Sequence, residues 1–409
     1  MSADTGSLSA PEQLSVSQRR SNVWRLAVAQ ALAGANSVVI YATGAVVGSQ
    51  LAPDPTLATL PISVFVVGMA LCTLPAGRLA ERHGRRAAFF AGTAAGVAAG
   101  LLAMAAVIFG SFWLLALSTL LGGAYAAVVL TFRFAVAEGA PAAERPRALS
   151  MVMAGGVAAG VVGPQLVTGT MDLWPGTPFA ATYLFQGLVA LLSAALLSGV
   201  RLPRSPIASH AGRGSVLSAL RQPAFLAAVI CGAVSYMLMN FMMTAAPLAM
   251  HMHGHPQQAS NTSLQWHVIA MYLPSFVTGR LIALWGARNI AVIGLLLTGA
   301  AALAGLQGLE IFDFSLSLVL LGVGWNFGFL GASALVLEYR ADADAKRIQA
   351  LNDFLIFAMM AGGSFLSGWI LSRFGWGTVL WTSFVPLAFA LIALMLFSTG
   401  SRTAVDRAG

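Results

Sequence analysis

Charge is what this chain has least of. Only 9% of its 409 residues are Asp, Glu, Lys or Arg, against 58% that are apolar. That balance excludes an ordinary water-soluble globule, because long uncharged runs have no polar face to offer to solvent. Lysine is nearly missing: Lys346 stands alone and is followed by Arg347, so there is no Gly-x-x-x-x-Gly-Lys-Ser/Thr phosphate loop. Hydrolysis of ATP is not expected. The 14 acidic residues are scattered over separate loops and form no catalytic constellation, which argues against an enzyme and against a prosthetic group. Both cysteines, Cys72 and Cys231, fall in apolar runs and read as small buried residues, not as a disulfide framework. No apolar leader opens the chain: residues 1–21 are polar and Ser-rich, the pattern of a disordered cytoplasmic tail.

What is plentiful is apolar sequence of membrane-spanning length. Crossing a bilayer takes about 20 predominantly apolar residues in helical conformation. Twelve such stretches are present, the first centred near Ala33 and the last near Ala388. Basic residues are placed with the same regularity. With the N-terminus inside, Arg78, Arg82, Arg85, Arg86, Arg145, Arg147, Arg201, Arg280, Arg288 and Arg340 all fall in inner loops, and Arg373 alone falls outside. This positive-inside asymmetry predicts a multi-pass protein of the bacterial inner membrane with both termini in the cytoplasm. The net charge of +8 is then topological, facing the lipid bilayer, and no nucleic-acid partner is implied.

The chain also repeats itself. Gly77-Arg78-Leu79 with Gly84 and Arg86 recurs as Gly279-Arg280-Leu281 with Gly286 and Arg288, each pair 202 positions apart. Leu120-Leu121-Gly122 recurs as Leu320-Leu321-Gly322, and Glu138 as Glu338, at an offset of 200. The expected fold is an all-α membrane protein of twelve transmembrane helices in two pseudo-symmetric six-helix halves. The halves are residues 22–200 and 222–398, joined by a polar cytoplasmic linker at 201–221 and followed by a cytoplasmic tail at 399–409.

The stretch from Gly77 to Arg86 resembles the loop between helices two and three of the major facilitator superfamily, whose pattern is Gly-x-Leu-x-Asp-Arg-x-Gly-Arg-Arg. The resemblance implies that superfamily's fold and a conformational gate made of Gly77, Glu81, Arg82, Gly84, Arg85 and Arg86, with Glu138 as an acidic partner and Gly279 and Gly286 in the second half. Two departures stand out. Ser118 precedes Gly122 where many proton-coupled exporters of the superfamily carry an arginine, and Gly155, Gly156, Gly160, Gly163 and Pro164 match the exporter glycine motif only loosely. Close helix packing explains that small-residue seam without a coupling role.

Methionine and histidine are concentrated in one place. Six of the 16 methionines and three of the six histidines lie between residues 237 and 255. Met239 and Met243 are four apart in the seventh span, as are His267 and Met271 in the eighth, and residues four apart share a helix face. If the two spans are antiparallel neighbours, Met239 faces Met271 and Met243 faces His267, as two rungs of a ladder. Thioethers and imidazole suit Cu(I) better than Zn, Mn or Mg. Met250, His251, Met252, His253 and His255 form a looser outer cluster that reads equally well as a metal-collecting mouth or as an exposed loop.

These paired motifs resemble the CcoA-like copper importers of the superfamily, with Gln265-Trp266-His267 and Met271-Tyr272-Leu273-Pro274-Ser275 adding to the likeness. The resemblance implies copper as transported substrate, ligation by Met239, Met243, His267 and Met271, and a supply of copper to cytochrome c oxidase assembly. Two alternatives stay open: a permease for a small organic solute such as a flavin or drug, and a copper-binding membrane sensor. Gln30, Asn36, Asn240 and Asn326 are polar residues inside spans, placed either at a cavity or in interhelical hydrogen bonds.

Overall fold

A computed structural model describes residues 15–132, 135–136, 145–201, 223–338 and 345–397, without the side chains of 145–147, 149, 150, 153, 337, 338, 345–354 and 397. All secondary structure among the described residues is helical. In the first half, the helices are α1 (Val16–Leu51), α2 (Leu60–His83), α3 (Arg85–Phe109), α4 (Phe112–Val129), α5 (Arg145–Thr170) and α6 (Ala180–Ser198). In the second half, α7 is Pro223–Met252, and α8 is the bent pair Gln257–Tyr272 and Ser275–Trp285, with α9 (Ala287–Gly305) and α10 (Ile311–Glu338) following. The run Ala345–Phe397 is broken by Gly375 (φ 81°, ψ 175°) into α11 (345–374) and α12 (376–397). The twelve expected spans are therefore all present. One boundary moves: α1 begins at Val16, inside the expected tail, because the Ser15 side chain accepts from the Gln18 amide and Gln18 bonds back in a capping box. Residues 202–221 of the linker, residue 222 and the C-terminal tail lie outside the described residues.

The duplication seen in the sequence reappears in the backbone. Gly84 (φ 86°, ψ 156°) turns α2 into α3, and Gly286 (φ 82°, ψ 149°) turns α8 into α9. Such angles are essentially open to glycine alone, which is why this residue recurs 202 positions later. The last arginine of each motif does the same work in each half. Arg86 donates to the Ser198 carbonyl at 2.7 Å and Arg288 to the Met395 carbonyl at 3.4 Å. Each guanidinium thus caps the C-terminal end of the sixth helix of its own half, where free carbonyls favour a cation.

Within the first half, α1 packs on α5 and α6, and α4 on α2 and α3; in the second, α10 packs on α7, α8 and α9. Between the halves, α5 meets α8, α2 meets α11, and α1 meets α7. The two ends of the molecule differ. At the end carrying the arginine loops, each half has its own apolar core, one around Leu26, Phe89 and Phe132 and the other around Cys231, Leu295 and Leu394. At the opposite end a single core runs through both halves, from Val38 and Phe65 to Leu264 and Trp376. Five side-chain hydrogen bonds cross between the halves among the described residues, and all lie toward that closed end: Tyr41 to Asn240, Gln257 to Ala42, Asn261 to Thr168, Gln165 to Gln265 and Thr59 to Ser364. Among the described residues the halves are joined at that end, and at the basic end each keeps its own core.

Candidate functional site

Between the halves lies a cavity with about 770 Å³ of empty volume, counting the space that is open to solvent. From α1 it is lined by Gln30, Gly34, Ser37 and Tyr41, which follow one another at the helical spacing of a single face. Facing them are Tyr236, Met239 and Met243 of α7 and Val268, Met271 and Tyr272 of α8, with Phe65 and Met69 of α2 and Met360 of α11 completing the wall. No charged side chain lines it among the described residues.

The phenols on the α7–α8 side are held from behind by further aromatics. Tyr236 meets Trp325 edge-on at 5.2 Å, Tyr272 meets Trp325 at 6.2 Å, and Trp325 stacks on Phe329 at 5.4 Å with 8° between the planes. Each such pair is worth about 0.5–1.5 kcal/mol beyond its buried area, enough to fix ring orientation. Methionines fill the remaining wall. Their unbranched, polarizable side chains mould to a surface and favour the edges of aromatic rings.

At the closed end the cavity is floored by one buried bond. The Tyr41 hydroxyl donates to Asn240 Oδ1 at 2.6 Å, and Asn240 Nδ2 donates in turn to the Met360 carbonyl at 3.2 Å. Tyr41 is itself steadied edge-on by Phe65 at 5.6 Å. On one flank α5 comes close to two helices at once. A Cβ added at Gly156 would meet the Tyr272 ring at 3.1 Å and one at Gly160 would meet Val268 at 2.9 Å, whereas one at Gly163 would meet Val38 at 2.7 Å. The glycine seam is a packing device, as expected, and it sets the position of Tyr272.

Asn326 settles as an interhelical hydrogen-bonding residue. The two pieces of α8 meet at 43° around Leu273 and Pro274, and the break frees backbone groups inside the membrane. Asn326 Nδ2 reaches the Met271 carbonyl at 2.7 Å and Ser275 Oγ at 2.6 Å, and its Oδ1 accepts from Thr278 at 2.6 Å. Asn36 donates to the Leu32 carbonyl of its own helix at 3.2 Å.

The four residues predicted to hold copper are not all in one place. Met239, Met243 and Met271 line the cavity. His267 is fully buried off the cavity wall, with Nδ1 donating to the Leu318 carbonyl of α10 at 2.6 Å and Nε2 without a partner among the described residues. The expected ladder presumed that α7 and α8 pack along their lengths. Their contact is slight: α7 packs chiefly on α11 and α10, and α8 on α10 and α5, so the cavity opens between them. In the outer cluster Met250 is buried in the shared core, and His251, Met252 and His253 are exposed. His253 donates to the Ala249 carbonyl at 2.7 Å and His255 to the Leu309 carbonyl at 2.6 Å, which makes these two rings ties of the α7–α8 turn. Among the described residues no three His, Cys, Asp or Glu side chains are grouped to hold a metal.

The residues expected to form a gate sit at the basic end. A Cβ added at Gly77, Gly84, Gly279 or Gly286 would meet nothing within 4 Å, and Glu81 and Arg82 are exposed. Arg85 is half-buried and Arg86 caps α6. Glu138 lies outside the described residues.

Sequence reasoning passed over Ser37, Tyr41, Phe65, Tyr236 and Tyr272. The signal for the α1 residues was present: Gln30, Gly34, Ser37 and Tyr41 form one stripe on an otherwise Ala/Val-rich helix.

Similarity to known proteins agrees with this geometry. A sequence profile described as Major Facilitator Superfamily matches residues 26–260. The riboflavin transporter RfnT of Brucella anthropi is 41% identical over 380 residues, covering 92% of this chain and 96% of that protein. YdeG of Bacillus subtilis, described as an uncharacterized MFS-type transporter, is 30% identical over 383 residues, covering 89% of each. Among solved structures, the xylose transporter XylE from E. coli in a partially occluded inward open conformation superposes with a TM-score of 0.71 at 14% identity, over 93% of this chain and 98% of that one. A bacterial homolog of the human lysosomal transporter Spinster, inward-facing and unoccupied, gives 0.69 at 14% identity, over 94% and 98%. At that identity the likeness is one of fold.

Proposed function

Since the chain belongs to the major facilitator superfamily, we propose that it is a secondary carrier for a small, flat organic solute of the flavin class. Rocking of the two halves about the central cavity exposes the solute to each side in turn. The observation that carries this reading is the cavity lining. Four aromatic rings and five methionines line the cavity, the apolar and aromatic lining typical of small-molecule sites. A planar, polarizable ring system buries its faces well against phenols and thioethers. Kinship over nearly the whole length to a protein described as a riboflavin transporter supports the same class of cargo.

With positive loops inside, the basic end faces the cytoplasm of a bacterial inner membrane and the cavity is open inward. Nucleotide hydrolysis plays no part. The test is uptake of radiolabelled riboflavin into vesicles containing the purified chain. Wild type takes it up, and Tyr236→Ala lowers uptake severalfold at equal protein. Uptake no greater than in empty vesicles overturns the reading.

Copper import, feeding cytochrome c oxidase assembly, is a second reading, favoured by one observation. His267, one helical turn from Met271, carries a buried Nε2 with no partner among the described residues, and three thioethers line the adjacent cavity. Under that reading Met239→Ala or His267→Ala abolishes accumulation of radioactive copper in the same vesicles. Under the solute reading wild-type vesicles accumulate none.

A further inference from the structure

Polar side chains inside a membrane protein are nearly always satisfied, and on α1 most of them are. Thr43 donates to the Val39 carbonyl at 2.8 Å and Ser49 to the Val46 carbonyl at 2.7 Å. The same habit holds for Ser63 and Thr73 on α2, each bonded to a carbonyl of its own helix. Two cavity residues break it. Among the described residues neither Gln30 nor Ser37 makes a side-chain hydrogen bond to another residue, and both line the cavity. Each is only partly buried, so its polar group is open to whatever the cavity holds.

Their spacing is informative. Seven residues of α-helix put the two on one face about 10 Å apart along the axis. Between them Gly34 contributes no side chain, and opposite them lie the apolar faces of Met239, Met243 and Tyr236. The cavity therefore offers two separated hydrogen-bonding points along one wall and an apolar bed along the other. A carboxamide presents a donor and an acceptor side by side, the complement of a ring imide; a serine hydroxyl suits another hydroxyl. With no charged side chain lining the cavity among the described residues, a phosphate dianion would enter without a counter-charge.

We propose that Gln30 and Ser37 are the specificity-determining pair of this carrier, reading the imide edge and the hydroxylated chain of an uncharged flavin while excluding its phosphorylated form. The proposal rests on the flavin reading above. It assigns the cargo's orientation: flat body against α7 and α8, polar edge along α1.

The experiment compares uptake of radiolabelled riboflavin into vesicles with three competitors: riboflavin methylated at the imide nitrogen, lumiflavin, which lacks the hydroxylated chain, and riboflavin 5′-phosphate. In wild type, each competes at least tenfold less well than unlabelled riboflavin. Gln30→Met, close in size but without hydrogen-bonding groups, raises KM and brings the methylated analogue level with riboflavin while leaving the lumiflavin ratio unchanged. Ser37→Ala does the converse. Each ratio is internal to one variant, so differences in protein yield do not move it. If wild type takes up riboflavin but the variants keep all wild-type ratios, or if the phosphate competes as well as riboflavin, the proposal is overturned and the flavin reading stands. If wild type takes up no riboflavin, both fall together.

Discussion

Removing the Tyr41 hydroxyl should tip the molecule toward the state that opens at the other end. The hydroxyl donates across the halves to Asn240 Oδ1 at 2.6 Å, at a site where Asn240 is fully buried. A buried bond of this kind contributes about 0.5–1.5 kcal/mol net, but Tyr41→Phe also strands Asn240 Oδ1 away from water, at a cost of about 1–3 kcal/mol. Once the closed end opens, water hydrates Asn240, so the penalty falls on one conformation only. A bias of about 1–3 kcal/mol changes the ratio of the two states by about 5- to 150-fold. Spin labels on His83→Cys and Asn289→Cys, both exposed at the basic end, report that ratio as a distance distribution in a Cys72→Ser, Cys231→Ala background. The variant should gain population at short distance. Asn240→Ala should act in the same direction, and the double variant should add little, because both remove one bond. An unchanged distribution, or one shifted to longer distance in a folded variant, would refute the assignment of this bond as a latch.

Gly84→Ala should destabilise by about 1–3 kcal/mol in thermal unfolding, although a Cβ there meets open space, because the cost lies in the backbone angles; Gly77→Ala, equally uncrowded but inside α2, should stabilise by about 0.5–1 kcal/mol. Gly156→Val pushes into the Tyr272 ring and should lower both the unfolding temperature and riboflavin uptake, with about 1–3 kcal/mol lost to overpacking. Asn326→Ala strands the Met271 carbonyl at the α8 break and should cost about 1–3 kcal/mol in the same unfolding assay.

How far the sequence spoke depends on how local the determinant is. Span count and the duplicated turns at Gly84 and Gly286 were legible because hydropathy and positive φ are properties of a short stretch. The α5 seam was legible too, as small residues one turn apart have few uses but close packing. The copper ladder was drawn from periodicity on α7 and α8, and periodicity does not say which helix a face meets. Leu318 of α10 takes Nδ1 of His267, a partner 51 residues away that no local pattern announces. Tyr236 and Tyr272 reach the cavity for the same kind of reason: Trp325 and Phe329, distant in sequence, stand behind them. Gln30 was noticed as polar; that its amide has no partner among the described residues is visible only once its neighbours are placed.

The measurement that bears most directly on the cavity as the cargo site is protection of Met271→Cys, in the same cysteine-substituted background, from a thiol reagent by added ligand. Riboflavin should slow the labelling in a saturable manner and leave a control cysteine at exposed Leu284 untouched. Labelling of Met271→Cys that proceeds at the same rate at every riboflavin concentration would contradict it.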